Sequence, residues 1–217
     1  MNTFGGNRRR LSNFLEDALP SWSPDGQSLV FFSRREGDRR PRIYMASVGG
    51  AVWELKAGGQ PIFGEYPTWS ADGRIVYRST APQTGIAIMN NDGSGYRMVA
   101  GDGSATAPAV SPDGSTIAFM STRGGSWDIC TIGVNGDGLA KVTVDPADDG
   151  LPTWSPDGRS LAFVSTRGGE WAIWNVRPDG SGLQKLISMP GAPEGYVRNE
   201  PDYSSRGWAE ERISWSP

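Results

Sequence analysis

Between residues 151 and 187 the chain alternates apolar and polar positions with a period of two, in short runs broken by turn residues. The runs 152–155, 160–165, 172–176 and 183–187 predict four strands, because successive strand side chains point to opposite faces. The breaks have their own chemistry. In Ser155-Pro156-Asp157-Gly158, proline presets φ at the second turn position and Asp157 can bond its own backbone. Gly158 supplies the left-handed conformation that closes a bulged hairpin. Residues 166–169 form a loop, and Pro178-Asp179-Gly180 is a second tight turn. Four strands joined in this way make one antiparallel meander, which cannot bury both of its faces alone.

The unit recurs. Its first turn ends at Gly26, Gly73, Gly114, Gly158 and, in the degraded form SSRG, at Gly207, with steps of 41 to 49 residues. Four strands repeating at about that period are the signature of a propeller blade. The second strands align as SLVFFS (28–33), RIVYRS (74–79), TIAFMS (116–121), SLAFVS (160–165) and RISWSP (212–217). One face carries Leu29/Phe31, Ile75/Tyr77, Ile117/Phe119, Leu161/Phe163 and Ile213/Trp215; the other is usually smaller, as at Ala118/Met120 and Ala162/Val164. A large face against a small one lets neighbouring blades interdigitate. The expected fold is therefore all-β, a single five-bladed β-propeller domain over 1–217 with almost no helix. Its blades are placed at about 20–57, 66–100, 107–143 and 151–187. The closing blade combines 200–217 with 1–12. Across the termini the turn-to-turn distance is shorter than any internal step, lacking the counterpart of TRGGEWAIW. A three-stranded closing blade, strands shared between chains, and a segment cut from a longer propeller all stay open.

P-x-W-S-P-D-G, an apolar strand ending in Ser, then T-R-G-G, D-I or A-I-W and D-G-S-G resembles the repeat of the TolB-type propellers. The same repeat occurs in the non-catalytic propeller domains of prolyl-oligopeptidase-like and tricorn-like peptidases. The resemblance covers nearly the whole chain and implies a non-enzymatic, TolB-like propeller acting as a rigid protein-interaction scaffold; TolB-like relatives are periplasmic. TolB itself has an additional N-terminal α/β domain and six blades, where the count here is five. The Gly-His and Trp-Asp signature of WD repeats is missing.

Composition narrows the chemistry. Thirty Gly and sixteen Pro suit a fold of many turns, and a net charge of −3 gives no general pull toward nucleic acid or anionic membrane. No run approaches the roughly 18 apolar residues of a membrane span. The N-terminal MNTFGGNRRR has no apolar stretch behind its basic residues, unlike a secretory signal. Cys130, the single cysteine, reads as a small core residue on a third strand. With no His, Ser-His-Asp and Cys-His catalysis and His-ligated zinc are ruled out within this chain. A carboxylate glycosidase needs two acids converging on the channel, whereas the innermost strands PSWS, PTWS, PAVS, PTWS and PDYS offer only Asp202. The Asp-Gly pairs miss calcium-loop spacing, so turn structure accounts for Asp25, Asp72, Asp113 and Asp157. No metal or cofactor is expected.

The candidate binding residues lie in the loops between second and third strands. Arg34, Arg123 and Arg167 are read at one equivalent position, with Arg78 nearby at the end of its strand; Trp127 and Trp171 follow Gly-Gly in two of the loops. Trp22, Trp69 and Trp154 share a first-strand position and read as packing. The connections between blades bring Glu16, Asp17, Glu65, Asp148, Asp149, Glu194 and Glu200 to the same face as the arginines. Solvated ion pairs are the plain account of this face; a protein-docking surface is the functional one. A monomeric ring binding a protein is the favoured reading. A small-ligand or carbohydrate-binding propeller using Trp127 and Trp171, and an excised or engineered fragment without an evolved function, are the alternatives.

Overall fold

The computed structural model describes residues 10–14, 16–191 and 213–214. It contains four four-stranded antiparallel meanders in chain order. The first comprises β1 (Ala18–Trp22), β2 (Ser28–Ser33), β3 (Arg42–Ser47) and β4 (Val52–Glu54). A two-stranded ribbon, β5 (Lys56–Ala57) and β6 (Gln60–Pro61), leads to the second, β7 (Gly64–Trp69), β8 (Arg74–Ser79), β9 (Gly85–Asn90) and β10 (Arg97–Ala100). The third is β11 (Thr106–Val110), β12 (Thr116–Ser121), β13 (Asp128–Gly133) and β14 (Ala140–Lys141). The fourth is β15 (Asp149–Trp154), β16 (Leu161–Ser165), β17 (Ala172–Val176) and β18 (Gln184–Ser188). The only helical turn among the described residues is the short 3-10 segment Arg167–Gly169, and no described helix is long and apolar enough to cross a membrane. This is the all-β propeller of antiparallel meanders that the sequence predicts, with its four whole blades present. The composite closing blade lies outside the described residues, save for 10–12, Ile213 and Ser214.

The first strands of successive blades touch one another, so they line the axis, and the fourth strands form the rim. Each blade presents its large face to the small face of the blade before it. Ile75 and Tyr77 pack with Val30 and Phe32, Ile117 and Phe119 with Val76, and Leu161 and Phe163 with Ala118 and Met120. Cys130 is buried in the second of these interfaces, as its sequence context implies. Leu11 packs on Phe31, Tyr44 and Ala46 of the first blade, and Ile213 on the core shared by the third and fourth.

The inner strands begin earlier than the Pro-x-Trp pattern suggests, at residues 18, 64, 106 and 149 rather than 20, 66, 107 and 151. Each carries a bulge at Leu19, Tyr66, Ala107 or Leu151, which adopt φ of 49° to 55° and precede Pro20, Pro67, Pro108 or Pro152. Proline has no N–H to give a ladder, which an inner-edge strand tolerates. The bulge breaks the alternation, so the one or two strand residues ahead of it read as connection.

Three of the four Ser-x-Asp-Gly turns are built alike. Ser23, Ser111 and Ser155 each donate a 2.6 Å hydroxyl bond to Asp25, Asp113 or Asp157. The same carboxylate oxygens accept the N–H of Gln27, Ser115 or Arg159 at 3.0–3.1 Å. Trp154 is buried and its indole donates to the Ala109 carbonyl at 3.1 Å, whereas Trp22 is 56% exposed, correcting the packing role read for it. Trp154 has the third blade to lie on; Trp22 belongs to the first described blade and has no such neighbour among the described residues. At the rim, the turn glycines Gly93, Gly136 and Gly180 have positive φ and approach a backbone carbonyl at the end of the preceding blade, that of Lys56, Val99 or Val142.

Two expectations follow. A Cβ on Gly93 would stand 2.3 Å from the Lys56 carbonyl oxygen, whereas one on Gly26 meets nothing within 4 Å among the described residues. Gly26→Ala should therefore lose about 1–2 kcal/mol, the cost of a left-handed alanine. Gly93→Ala should lose at least about 1 kcal/mol more from overpacking, as read by urea denaturation. The serine hydroxyls, followed by the backbone N–H groups, hold the carboxyls of Asp25, Asp113 and Asp157 below the ordinary 3.8. Their contribution is complete above that unfolded-state value and is lost as pH falls through the lower folded value. Melting temperature should thus drop on acidification below about pH 4. An Asp25→Asn/Asp113→Asn/Asp157→Asn variant should start lower and respond less steeply; an unchanged slope would remove these turns as the source of acid sensitivity.

Candidate docking face

The second strands end at Ser33, Ser79, Ser121 and Ser165, all buried, and strand register aligns the loops that follow. Two residues on stand Arg35, Ala81, Arg123 and Arg167. The equivalent of Arg123 and Arg167 is therefore Arg35, not Arg34; the doubled arginine of SRREG hid the register, which only the strand pairing fixes.

In the first and fourth blades this arginine closes the same box. Arg35 Nη2 donates to both Asp17 oxygens at 2.7 Å and lies 4.4 Å from the Tyr44 ring centroid and 5.7 Å from that of Phe31. Arg167 Nη2 donates to Asp149 Oδ2 at 2.6 Å and lies 5.5 Å from Trp174 and 5.9 Å from Phe163. Phe31–Tyr44 and Phe163–Trp174 are the same cross-strand pair, and Asp17 and Asp149 both stand two residues before a bulge. Burial pushes the Asp149 carboxyl up, opposed by the Ser165 hydroxyl and the Arg167 charge. In the second blade both partners are absent: Ala81 replaces the arginine and Gly64 the acid, where a Cβ would strike the Tyr77 ring. The third blade keeps only the arginine. Ala105 stands at the acid's position, Cys130 faces Phe119 where an aromatic would be, and Arg123 reaches Asp102 with Nε at 3.2 Å. Its side chain is 56% exposed, against 13% for Arg167.

Arg34 and Arg78 form a different group. Glu65 accepts from Arg34 Nη2 at 2.5 Å and from Arg78 Nη1 at 2.8 Å, and Arg78 is its cross-strand partner. Trp127 and Trp171 immediately precede β13 and β17 and pack, partly buried, against the core shared by the third and fourth blades. The Trp127 carbonyl accepts the Asp149 N–H at 2.8 Å, tying its loop to the next inner strand. The structure thus gathers Arg34 with Arg78 and Trp127 with the Asp149–Arg167 box, while Arg123 stands with Asp102. Sequence reasoning missed Arg35; the shared offset from the strand-ending serine was the signal.

The axis encloses a cavity of about 460 Å³ lined by Pro20, Tyr66, Thr68, Ala109, Thr153 and Trp154 among others. Asp202 lies outside the described residues. Glu65 and Asp149 prove to be first-strand residues, so that strand set carries more acids than the sequence suggested, but both are engaged by arginines. Among the described residues no group of three His, Cys, Asp or Glu side chains is placed to hold a metal.

Arg167→Ala should leave Asp149 buried and unpaired, at a cost of about 3–5 kcal/mol. Arg123→Ala should stay within about 1 kcal/mol of the parent in urea denaturation. Adding Asp149→Asn to Arg167→Ala should recover part of the loss. Equal losses for the two single changes would show that the box is not what buries Arg167.

A model of the TolB beta propeller domain matches residues 55–209. The Tol-Pal system protein TolB of Anaeromyxobacter dehalogenans (strain 2CP-C) is 34% identical over 139 residues, covering 57% of this chain and 32% of the relative. An uncharacterized peptidase, YuxL of Bacillus subtilis (strain 168), is 31% identical over 138 residues, 62% of this chain and 20% of that protein. The solved structure of a putative TolB from Agrobacterium tumefaciens superposes with a TM-score of 0.74 at 24% identity, covering 83% of this chain and 65% of that one. The chain spans a third or less of the length of these curated relatives.

Proposed function

The chain belongs to the TolB β-propeller domain family, and from that premise we propose that it is a non-enzymatic propeller on which another protein docks. The docking surface is the face carrying the loops between second and third strands. The observation that carries this reading is the contrast between the two faces. On one, the Ser-x-Asp-Gly turns spend their side chains on their own backbone. On the other, the loops run from the five residues 80–84 to the eight residues 34–41; this face carries Arg34 and Arg78 on Glu65 and, at other blades, Arg123 and the partly buried Trp127 and Trp171. Variable loops on a rigid scaffold are where specificity concentrates, and a face carrying both arginines and aromatic residues suits protein contacts. Arg167, enclosed in its box, acts by holding its loop.

The name of the Anaeromyxobacter relative places that protein in the Tol-Pal system, which supports a role within a protein assembly. The peptidase-named relative matches over only a fifth of its own length, so what is shared with it is propeller. A chain without His has no Ser-His-Asp site of its own.

Affinity capture with mass spectrometry compares the parent with a loop-face variant, Arg34→Glu/Arg123→Glu, and a turn-face variant, Arg74→Glu/Arg159→Glu, each confirmed folded by circular dichroism. Proteins recovered with the parent and the turn-face variant should be depleted with the loop-face variant. Equal recovery by all three, or loss confined to the turn-face variant, would sink the assignment of the face.

A further inference from the structure

At the junction between the first and second blades, two guanidiniums divide one carboxylate and a third stands over an aromatic ring beside them. Glu65, 12% exposed, divides its two oxygens between Arg34 and Arg78. Arg78 Nε is buried and has no acceptor among the described residues. Arg40 is exposed, its guanidinium carbon stands over Phe63 3.6 Å from the ring centroid, and no carboxylate among the described residues forms an ion pair with it. Phe63 is fixed in turn: its carbonyl accepts the Thr80 N–H at 3.1 Å, and the next N–H, of Gly64, donates to the Pro41 carbonyl at 3.0 Å. The loop that carries Arg40 is thereby stitched to the strand pair that carries Glu65 and Arg78.

The other arginines of this loop, and Arg42 at the start of β3, are engaged. Arg35 is bound by Asp17, Arg39 by Glu16, and Arg42 by Glu36, Asp38 and Glu54. Arg34 and Arg78 therefore share one carboxylate, and Arg40 forms an ion pair with none among the described residues, on a chain whose net charge is −3. Stacking on an aromatic face fixes the plane of a guanidinium and leaves its edge donors available for a planar, two-oxygen acceptor.

We propose that this junction recognises acid: it docks a partner protein segment bearing two or more closely spaced Asp or Glu side chains. Arg40 and Arg34 take the carboxylates, Arg78 completes the electrostatic site, and Phe63 is its apolar floor. The inference rests on the docking face above and names the chemistry of its partner. A protein segment is favoured over nucleic acid because the site is a single spot, not a basic stripe, and the net charge repels an extended polyanion.

The probe is a fluorescein-labelled hexaglutamate peptide followed by anisotropy, with hexalysine and a short DNA duplex alongside. The parent should bind hexaglutamate saturably, more weakly as salt rises, and should not bind hexalysine. Arg34→Ala/Arg40→Ala, confirmed folded, should weaken binding roughly tenfold or more, as expected for the loss of charge-assisted contacts. Arg40→Lys, which keeps the charge but not the planar fork, should fall between the two. The proposal is overturned if the parent does not bind hexaglutamate or if the double variant binds it equally well. It is also overturned if DNA binds as tightly through the same arginines. Should Arg123→Glu abolish partner capture while Arg34→Ala/Arg40→Ala changes neither capture nor peptide binding, the acid site falls and the docking face stands. If hexaglutamate binding depends on these arginines but no loop-face change affects capture, the face falls and the acid site stands.

Discussion

The register of the hairpin between first and second strands is the constraint on which the rest of this molecule depends. A strand slipped by one residue exchanges its two faces, and here both faces are buried between blades of unlike size. Ile117 and Phe119 must meet the second blade while Ala118 and Met120 meet the fourth. The Ser-x-Asp-Gly turn sets that register with a bonded set that few other sequences could form. The hydroxyl of Ser111 donates to Asp113 and accepts the Thr116 N–H at 2.9 Å, while Gly114 takes the positive φ that lets the chain return. A polar turn at the surface thus decides which apolar side chain enters which core.

The same register carries the polar architecture of the opposite face. Because Phe31 is opposite Tyr44 and Phe163 opposite Trp174, each pair offers two ring systems to an arginine emerging beyond the strand end. The bulge on the inner strand then brings an aspartate to its far side. A buried carboxylate is costly unless paired and hydrogen-bonded, so the acid is found at this position only where the arginine and the aromatic pair accompany it. The second blade discarded it: with Gly64 for the acid, the space is filled by the ring of Tyr77, and the loop beyond has no arginine at that position.

Much of this was readable from the sequence, for physical reasons. Turn chemistry at Asp25, Asp113 and Asp157 is local, so four residues suffice to recognise it, and the large and small strand faces are a direct consequence of period-two alternation. What escaped were features defined across strands. Asp149 and Glu65 read as connection because a bulge at Leu151 and Tyr66 interrupts the alternation that marks a strand. Arg35 was overlooked in favour of Arg34 because letters align neighbours in sequence, while pairing of Ser33 with Arg42 aligns neighbours in space. Trp22 and Trp154 occupy one repeat position, yet one is exposed and the other buried, since a repeat fixes a residue's place in its blade but not what lies beside that blade.

The arginines of the loop face differ in exposure according to how much of the box each blade has kept. Where acid and aromatics are complete, Arg167 is enclosed and its charge is satisfied within the blade. Where the aromatic partner has become Cys130 and the acid Ala105, Arg123 extends into solvent toward a carboxylate in the preceding connection. In the second blade no arginine follows the strand, and the cation of that blade is Arg78, one residue before the strand ends, sharing Glu65 with its neighbour from the first. An incomplete box therefore leaves charged groups more exposed at particular blades while the complete boxes enclose theirs. A surface made in this way is asymmetric on a nearly symmetric scaffold, and that asymmetry is what a single partner needs to bind in one orientation rather than several.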